Sequence, residues 1–125
     1  MSTITKEYHI MAPLEKVWQA LVDPQVIAKW GAGPAKMKAQ AGFKFSLWGG
    51  DIHGKNLEII PHQKLVQDWY GGNWPRPSQA TFTLTHKAGC TTLKLSHTDV
   101  PEKEVQAIDH GWDDYYLGPL KKLLK

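Results

Sequence analysis

Between residues 43 and 98 apolar side chains recur at every second position, and on either side of that block they recur at every third or fourth. Period two is the repeat of a strand with one face buried, and a period near 3.6 is that of an amphipathic helix. A chain with strands in the middle and helices at both ends must build one sheet and cover a single face of it with helix. In "GFKFSLW", Phe43, Phe45 and Leu47 share a face, with Lys44 and Ser46 opposite. Gly49, Gly50 and Asp51 supply a turn, "HGKNLEII" runs to Pro61, and "KLVQDWY" runs to the loop "GGNWPRP". "QATFTLTH" and "CTTLKLSH" flank a "KAG" turn, as in a hairpin. Ala80, Phe82 and Leu84 fall on one face of that pair, and Leu93, Leu95 and His97 on the matching face, so an apolar row ends in a histidine.

Upstream, "TITKEYHI" over 3–10 reads as a first strand. Pro13 opens a helix with Val17, Ala20 and Leu21 at helical spacing; Asp23 and Pro24 form an N-cap and first-turn pair that starts a second short helix ending at Trp30. "GAGP" at 31–34 breaks the helical run. Downstream, Asp99 and Glu102 have the spacing of a capping box, and Val105, Ile108, Trp112, Tyr116 and Leu120 draw an apolar stripe down a long final helix. Lys121, Lys122 and Lys125 fall in its last turn, where cations suit the helix dipole. Pro119 lacks an N–H and crowds the preceding turn, so a kink or break is expected near Gly118. The fold class is therefore α+β, a curved antiparallel β-sheet wrapped around a long C-terminal α-helix, with two short helices after the first strand.

A chain of 125 residues is the size of one domain, and residues 1–125 are read as a single unit. The opening "MSTITKEYHI" lacks the apolar core of a signal peptide, and no apolar run is long enough for membrane insertion. The one cysteine, Cys90, fits a reducing compartment, so a cytoplasmic location is expected. The net charge of +3 comes from scattered lysines and one arginine, Arg76. Without a basic block or arginine forks, nucleic acid is not an expected partner.

The match to a known family runs through "PLEKVWQALVDP" and Trp30, "GFKFSLWGGDIHGKNLEIIPHQKLVQDWYGGNWP", "ATFTLTHKAGCTTLKLSHTDVP" and "GWDDYYLGPLKKLL". In these stretches and their order the chain resembles the activator of Hsp90 ATPase homologue family, within the START-like, helix-grip (SRPBCC) superfamily. The resemblance implies the helix-grip fold and the domain that forms the C-terminal half of eukaryotic Hsp90 activators; the chain is expected to lack their first domain. It also implies a cavity between sheet and C-terminal helix and an Hsp90-type chaperone as a possible partner.

Six tryptophans, Trp18, Trp30, Trp48, Trp69, Trp74 and Trp112, fit either a bulky aromatic core or a mostly apolar ligand pocket with a few polar tips. By facing, the lining of such a cavity would include Phe45, Leu65, Trp69, Phe82, Leu95, Ile108, Trp112 and Tyr116. Trp74, in its glycine-rich loop, is expected to be exposed as a rim contact for a partner. His97 is either the polar tip of the cavity, a proton shuttle, or a buried histidine satisfied by a hydrogen bond. Asp68 and Tyr70 face away from Trp69 and are not expected to join His97 in a catalytic cluster, and no catalytic residue is assigned.

No metal is expected from six histidines without a closely spaced pair, and no cofactor. "GGDIHGKN" approximates a phosphate loop but has Asn56 where Ser or Thr is needed and runs into a strand. Cys90 at its hairpin has no evident activating neighbour. The readings that stand are a noncatalytic stress- or chaperone-linked protein binding a hydrophobic small molecule or protein partner, a START-like cyclase or hydrolase using His97, and a modulator of Hsp90 ATPase activity. The oligomeric state is not legible.

Overall fold

The computed structural model describes residues 2–124. Six strands form one antiparallel sheet: β1 (Ser2–Ile10), β2 (Lys44–Leu47), β3 (Ile52–Ile60), β4 (Lys64–Gly71), β5 (Ser78–Lys87) and β6 (Cys90–Val100). Their spatial order is β1-β6-β5-β4-β3-β2. Strands β2 to β6 follow as a meander, each paired with the next, because short turns leave a strand no other neighbour. The Lys87↔Cys90 pair closes the last hairpin over Ala88 and Gly89, both at positive φ as a two-residue hairpin turn requires.

β1 and β2 lie on opposite edges of the sheet, and α1 (Leu14–Val22) and α2 (Pro24–Trp30) carry the chain between them. Asp23 separates the two helices as expected: its Oδ1 accepts from the Gln25 N–H at 2.9 Å, and Pro24 takes the first helical position. Gly31, at φ 116°, ends α2 in the left-handed conformation.

The C-terminal helical segment differs from expectation at both ends. Asp99 does not cap it. Asp99 lies within β6 at φ 61°, Glu102 enters a short 3-10 turn, and α3 (Val105–Gly111) starts from Glu104 without a side-chain cap. Nor does Pro119 break it. Trp112–Leu117 widens into a π turn and α4 (Gly118–Leu124) follows it directly. The Gly118 N–H reaches back five residues to the Asp113 carbonyl. The next residue has no N–H to offer, and the wider turn absorbs the missing bond that would otherwise stop the helix. A Cβ on Gly118 would lie 2.1 Å from that carbonyl, so the turn is open only to glycine. Lys125 lies outside the described residues.

The inner face of the sheet and the helices share one core. It includes Ile4 and Ile10 of β1, Val17 and Leu21 of α1, Phe45, Leu65, Phe82, Leu93 and Leu95 of the sheet, and Trp112, Tyr116 and Leu120 of the C-terminal segment. Phe43 falls just before β2 and packs part-buried at its edge. A second tie joins the two layers at β1. The Lys6 ammonium is 2.8 Å from Asp113 and 3.0 Å from Asp109, and the Tyr8 hydroxyl donates to the other Asp113 oxygen. Burial and the Asp113 carboxylate raise the Tyr8 pKa. Burial opposes the Asp113 charge, but the Lys6 and Tyr8 hydrogen bonds outweigh it and hold that carboxyl below its usual range.

Candidate functional site

The aromatic residues gather where the π turn crosses the sheet. Trp112 stacks on Trp69 with centroids 5.1 Å apart and planes 24° apart, and its neighbour one turn on, Tyr116, packs 4.5 Å from Trp30. Phe82 lies beneath both, 5.7 Å from the Trp112 ring and 5.8 Å from the Tyr116 ring. Residues four apart on a helix point the same way, so the spacing of Trp112 and Tyr116 places two rings side by side on the sheet.

His97 is fully buried under this cluster, with both ring nitrogens occupied. The Trp112 indole N–H donates to His97 Nδ1 at 3.0 Å, and His97 Nε2 lies 2.7 Å from Ser78 Oγ, which in turn donates to the Trp69 carbonyl at 2.7 Å. An indole can only donate, so Nδ1 must be the acceptor and Nε2 must carry the hydrogen. A proton added at Nδ1 would meet the Trp112 N–H head on. Burial pushes the His97 pKa down to about 4. The imidazole therefore works as a neutral joint that fastens the C-terminal segment to β4, β5 and β6. Its position is also poor for proton transfer, since it has no free nitrogen.

Above this cluster lies an open cleft of about 430 Å³ between the sheet edge and the C-terminal segment. Of the residues expected to line a cavity, Trp69, Ile108, Trp112 and Tyr116 line it. Phe45, Leu65, Phe82, Leu95 and His97 are buried and stand outside its lining. Trp74 is half-buried, not exposed: its indole lies against Gly71, where a Cβ would come within 2.8 Å, and 6.4 Å from Trp69. Its loop folds back onto the sheet because that ring finds more apolar surface there than in water.

Facing arguments missed the other wall. Trp48, Asp51 and Ile52 come from the turn and start of strand after β2, and Tyr115 from the π turn. Trp48 stands where the alternation ends, so no strand parity assigns it a side. Its backbone takes φ 50°, uncommon for a bulky residue, and is held by the Trp48 N–H to the Ala32 carbonyl and the indole N–H to the Gly31 carbonyl, both at 2.9 Å. Ser78 was also missed, although parity with Ala80 and Phe82 places it on the inner face.

Among the described residues, Trp69 Nε1 and Tyr116 Oη are buried side-chain atoms without a hydrogen-bond partner, while other atoms of both residues line the cleft. Burial raises the Tyr116 pKa, so its hydroxyl stays neutral. Among the described residues no three of His, Cys, Asp and Glu gather as metal ligands would, and no helix is long and apolar enough to cross a membrane.

Residues 11–125 match the family described as "Activator of Hsp90 ATPase homolog 1-like protein". The chain belongs to that family. It is 31% identical over 120 residues to an uncharacterized protein of Schizosaccharomyces pombe, covering 94% of this chain and 36% of that one. It is 28% identical over 119 residues to the human activator of 90 kDa heat shock protein ATPase homolog 1, covering 94% of this chain and 35% of the human protein. The chain thus spans about a third of the length of these relatives. Among solved structures, an HSP90 activator from Plasmodium falciparum superposes with a TM-score of 0.90 at 25% identity, covering 98% of this chain and 96% of that one. The Aha1 dimer from Colwellia psychrerythraea, at 24% identity and a TM-score of 0.83 over 99% of this chain and 96% of that one, shares the fold.

Proposed function

We propose that this member of the Hsp90 activator homologue family is a noncatalytic binding protein whose cleft takes a small, largely apolar molecule. The observation that carries this reading is the open, mostly aromatic cleft of about 430 Å³, walled by Trp48 and Ile52 from the sheet edge and by Ile108 and Tyr115 from the C-terminal segment. A ligand entering the cleft would cover its apolar walls. The hydrogen bonds at both ring nitrogens leave His97 no free nitrogen to act as a general base, which is why a cyclase or hydrolase reading that uses it is not preferred.

Native mass spectrometry of freshly purified protein, compared with the denatured chain, would detect a retained molecule. Titration with the neutral fluorophore N-phenyl-1-naphthylamine tests the cleft directly. Ala107→Trp fills the cleft from its exposed wall without touching the core, and should abolish the fluorescence gain. No gain with the native chain, or an equal gain in the variant, would refute the reading.

A second reading is association with an Hsp90-type chaperone, favoured by the near full-length match to the Plasmodium falciparum activator. It predicts co-purification with the host's Hsp90 and a changed ATPase rate; absence of both would end it. The cytoplasm, expected from the single cysteine, suits either role.

A further inference from the structure

The face of the sheet turned away from the helices carries its charges unevenly. Over its central strands and toward β1 they are matched: Lys94 lies 3.9 Å from Glu7, and Lys64 lies 3.2 Å from Glu58. Toward β2 they are not. Phe45 and Leu47 are buried in the core, so Lys44 and Ser46, which alternate with them, point outward. Lys44 stands directly opposite Lys55 of β3, and Ser46 stands between His53 of β3 and Lys36, which bridges to it from the preceding segment. Partners in an antiparallel pair share a face, so Lys36, Lys44 and Lys55, all exposed, gather on one corner of the sheet around the Ser46 hydroxyl. Among the described residues none of the three makes an ion pair. Asp68, the carboxylate opposite Lys55, is turned to the backbone instead, where its Oδ1 accepts from the Lys55 N–H at 2.6 Å.

Like charges directly opposite each other destabilise a sheet, and a partner of opposite charge removes that conflict. We propose that this corner docks an extended acidic segment of a partner protein. A single small anion gains little there, because an exposed ion pair is screened by water and weak by itself. The lysines lie on three neighbouring chain segments roughly 5 Å apart, and an extended peptide turns a carboxylate to the same side at every second residue, roughly 7 Å apart, so several pairs form together. Nucleic acid fits less well. None of the three is an arginine, whose fork matches phosphate, and His53 and Tyr70 beside Ser46 stack on one another at 5.1 Å, which closes their facing surfaces to a base.

The test is fluorescence anisotropy at low salt on the full chain, with a labelled peptide of alternating glutamate and serine, its glutamine counterpart, and a thymidine oligonucleotide of equal length. The acidic peptide is expected to bind and the glutamine peptide is not. Replacing Lys36, Lys44 and Lys55 together by glutamine should weaken the acidic peptide by roughly tenfold or more, while the same change at the exposed Lys16, Lys103 and Lys122, which removes equal charge elsewhere, should alter it by less than roughly twofold. Lys44→Glu separates docking from folding: it places opposite charges across from each other, so the urea midpoint should rise while the peptide is lost. Absence of binding by the acidic peptide, binding of the glutamine peptide as tight, or an equal loss in the second triple variant would overturn the proposal. Tighter binding of the oligonucleotide would overturn it in favour of nucleic acid. A lowered midpoint in Lys44→Glu would also overturn it, since the lysines would then not be in conflict in the free protein.

Discussion

Replacing His97 by glutamine tests the buried joint most directly, because its two roles give different signatures. At pH 7 the substitution removes the acceptor for the Trp112 N–H and the donor to Ser78, in a site with no access to water. Leaving one such group unmet costs about 1–3 kcal/mol, and the longer amide cannot satisfy both partners from the same backbone position. The second signature is in the pH dependence. His97 has its pKa lowered from 6.5 to about 4 in the folded protein by burial. The unfolded chain therefore takes up the proton first, and the stability tied to a neutral His97 is whole above pH 6.5 and falls as pH drops toward 4. The full span of that shift corresponds to about 3 kcal/mol, of which about 2 kcal/mol is lost between pH 7 and pH 5. Urea unfolding of both proteins at those two pH values, with m-values compared, supplies the free energies. The native chain should lose about 2 kcal/mol more than His97→Gln on acidification, so the gap between them narrows. A gap that is the same at pH 5 and pH 7 would refute the neutral, locked histidine.

Three further outcomes follow from individual contacts. Gly118→Ala should destabilise the protein by about 2 kcal/mol or more although alanine is the better helix former, because the added Cβ meets the Asp113 carbonyl; a stabilised variant in thermal unfolding would contradict the π turn. Tyr116→Phe removes a buried hydroxyl that has no partner, so the ligand-free protein should gain up to about 1 kcal/mol in urea unfolding, and a clear loss would mean that the hydroxyl is satisfied. Lys6→Met breaks the tie from β1 to Asp109 and Asp113, both of them substantially exposed, and should cost about 1 kcal/mol; an unchanged midpoint in low salt would assign that tie no net weight.

Side-chain period and turn chemistry by themselves determined the α+β order, the meander from residue 43 to 98, the Asp23–Pro24 junction and the inward placement of Phe82, Leu95, Trp112 and Tyr116. These are local rules, each legible within a few residues, and the family resemblance added how the sheet and helix would be put together. Only the tertiary structure decided the rest. The wall formed by Trp48 and Asp51 depends on a turn with backbone angles that no alternation predicts, and its approach to Tyr116 joins positions far apart in the chain. The role of His97 turned on Ser78 and Trp112 meeting it from two other elements, which selects one tautomer. Pro119 signalled a break, yet the helix continued, because burying the stripe through Leu120 outweighs one missing backbone bond that a π turn can absorb. Packing free energy is summed over the whole interface between helix and sheet, and a local breaker competes against that sum.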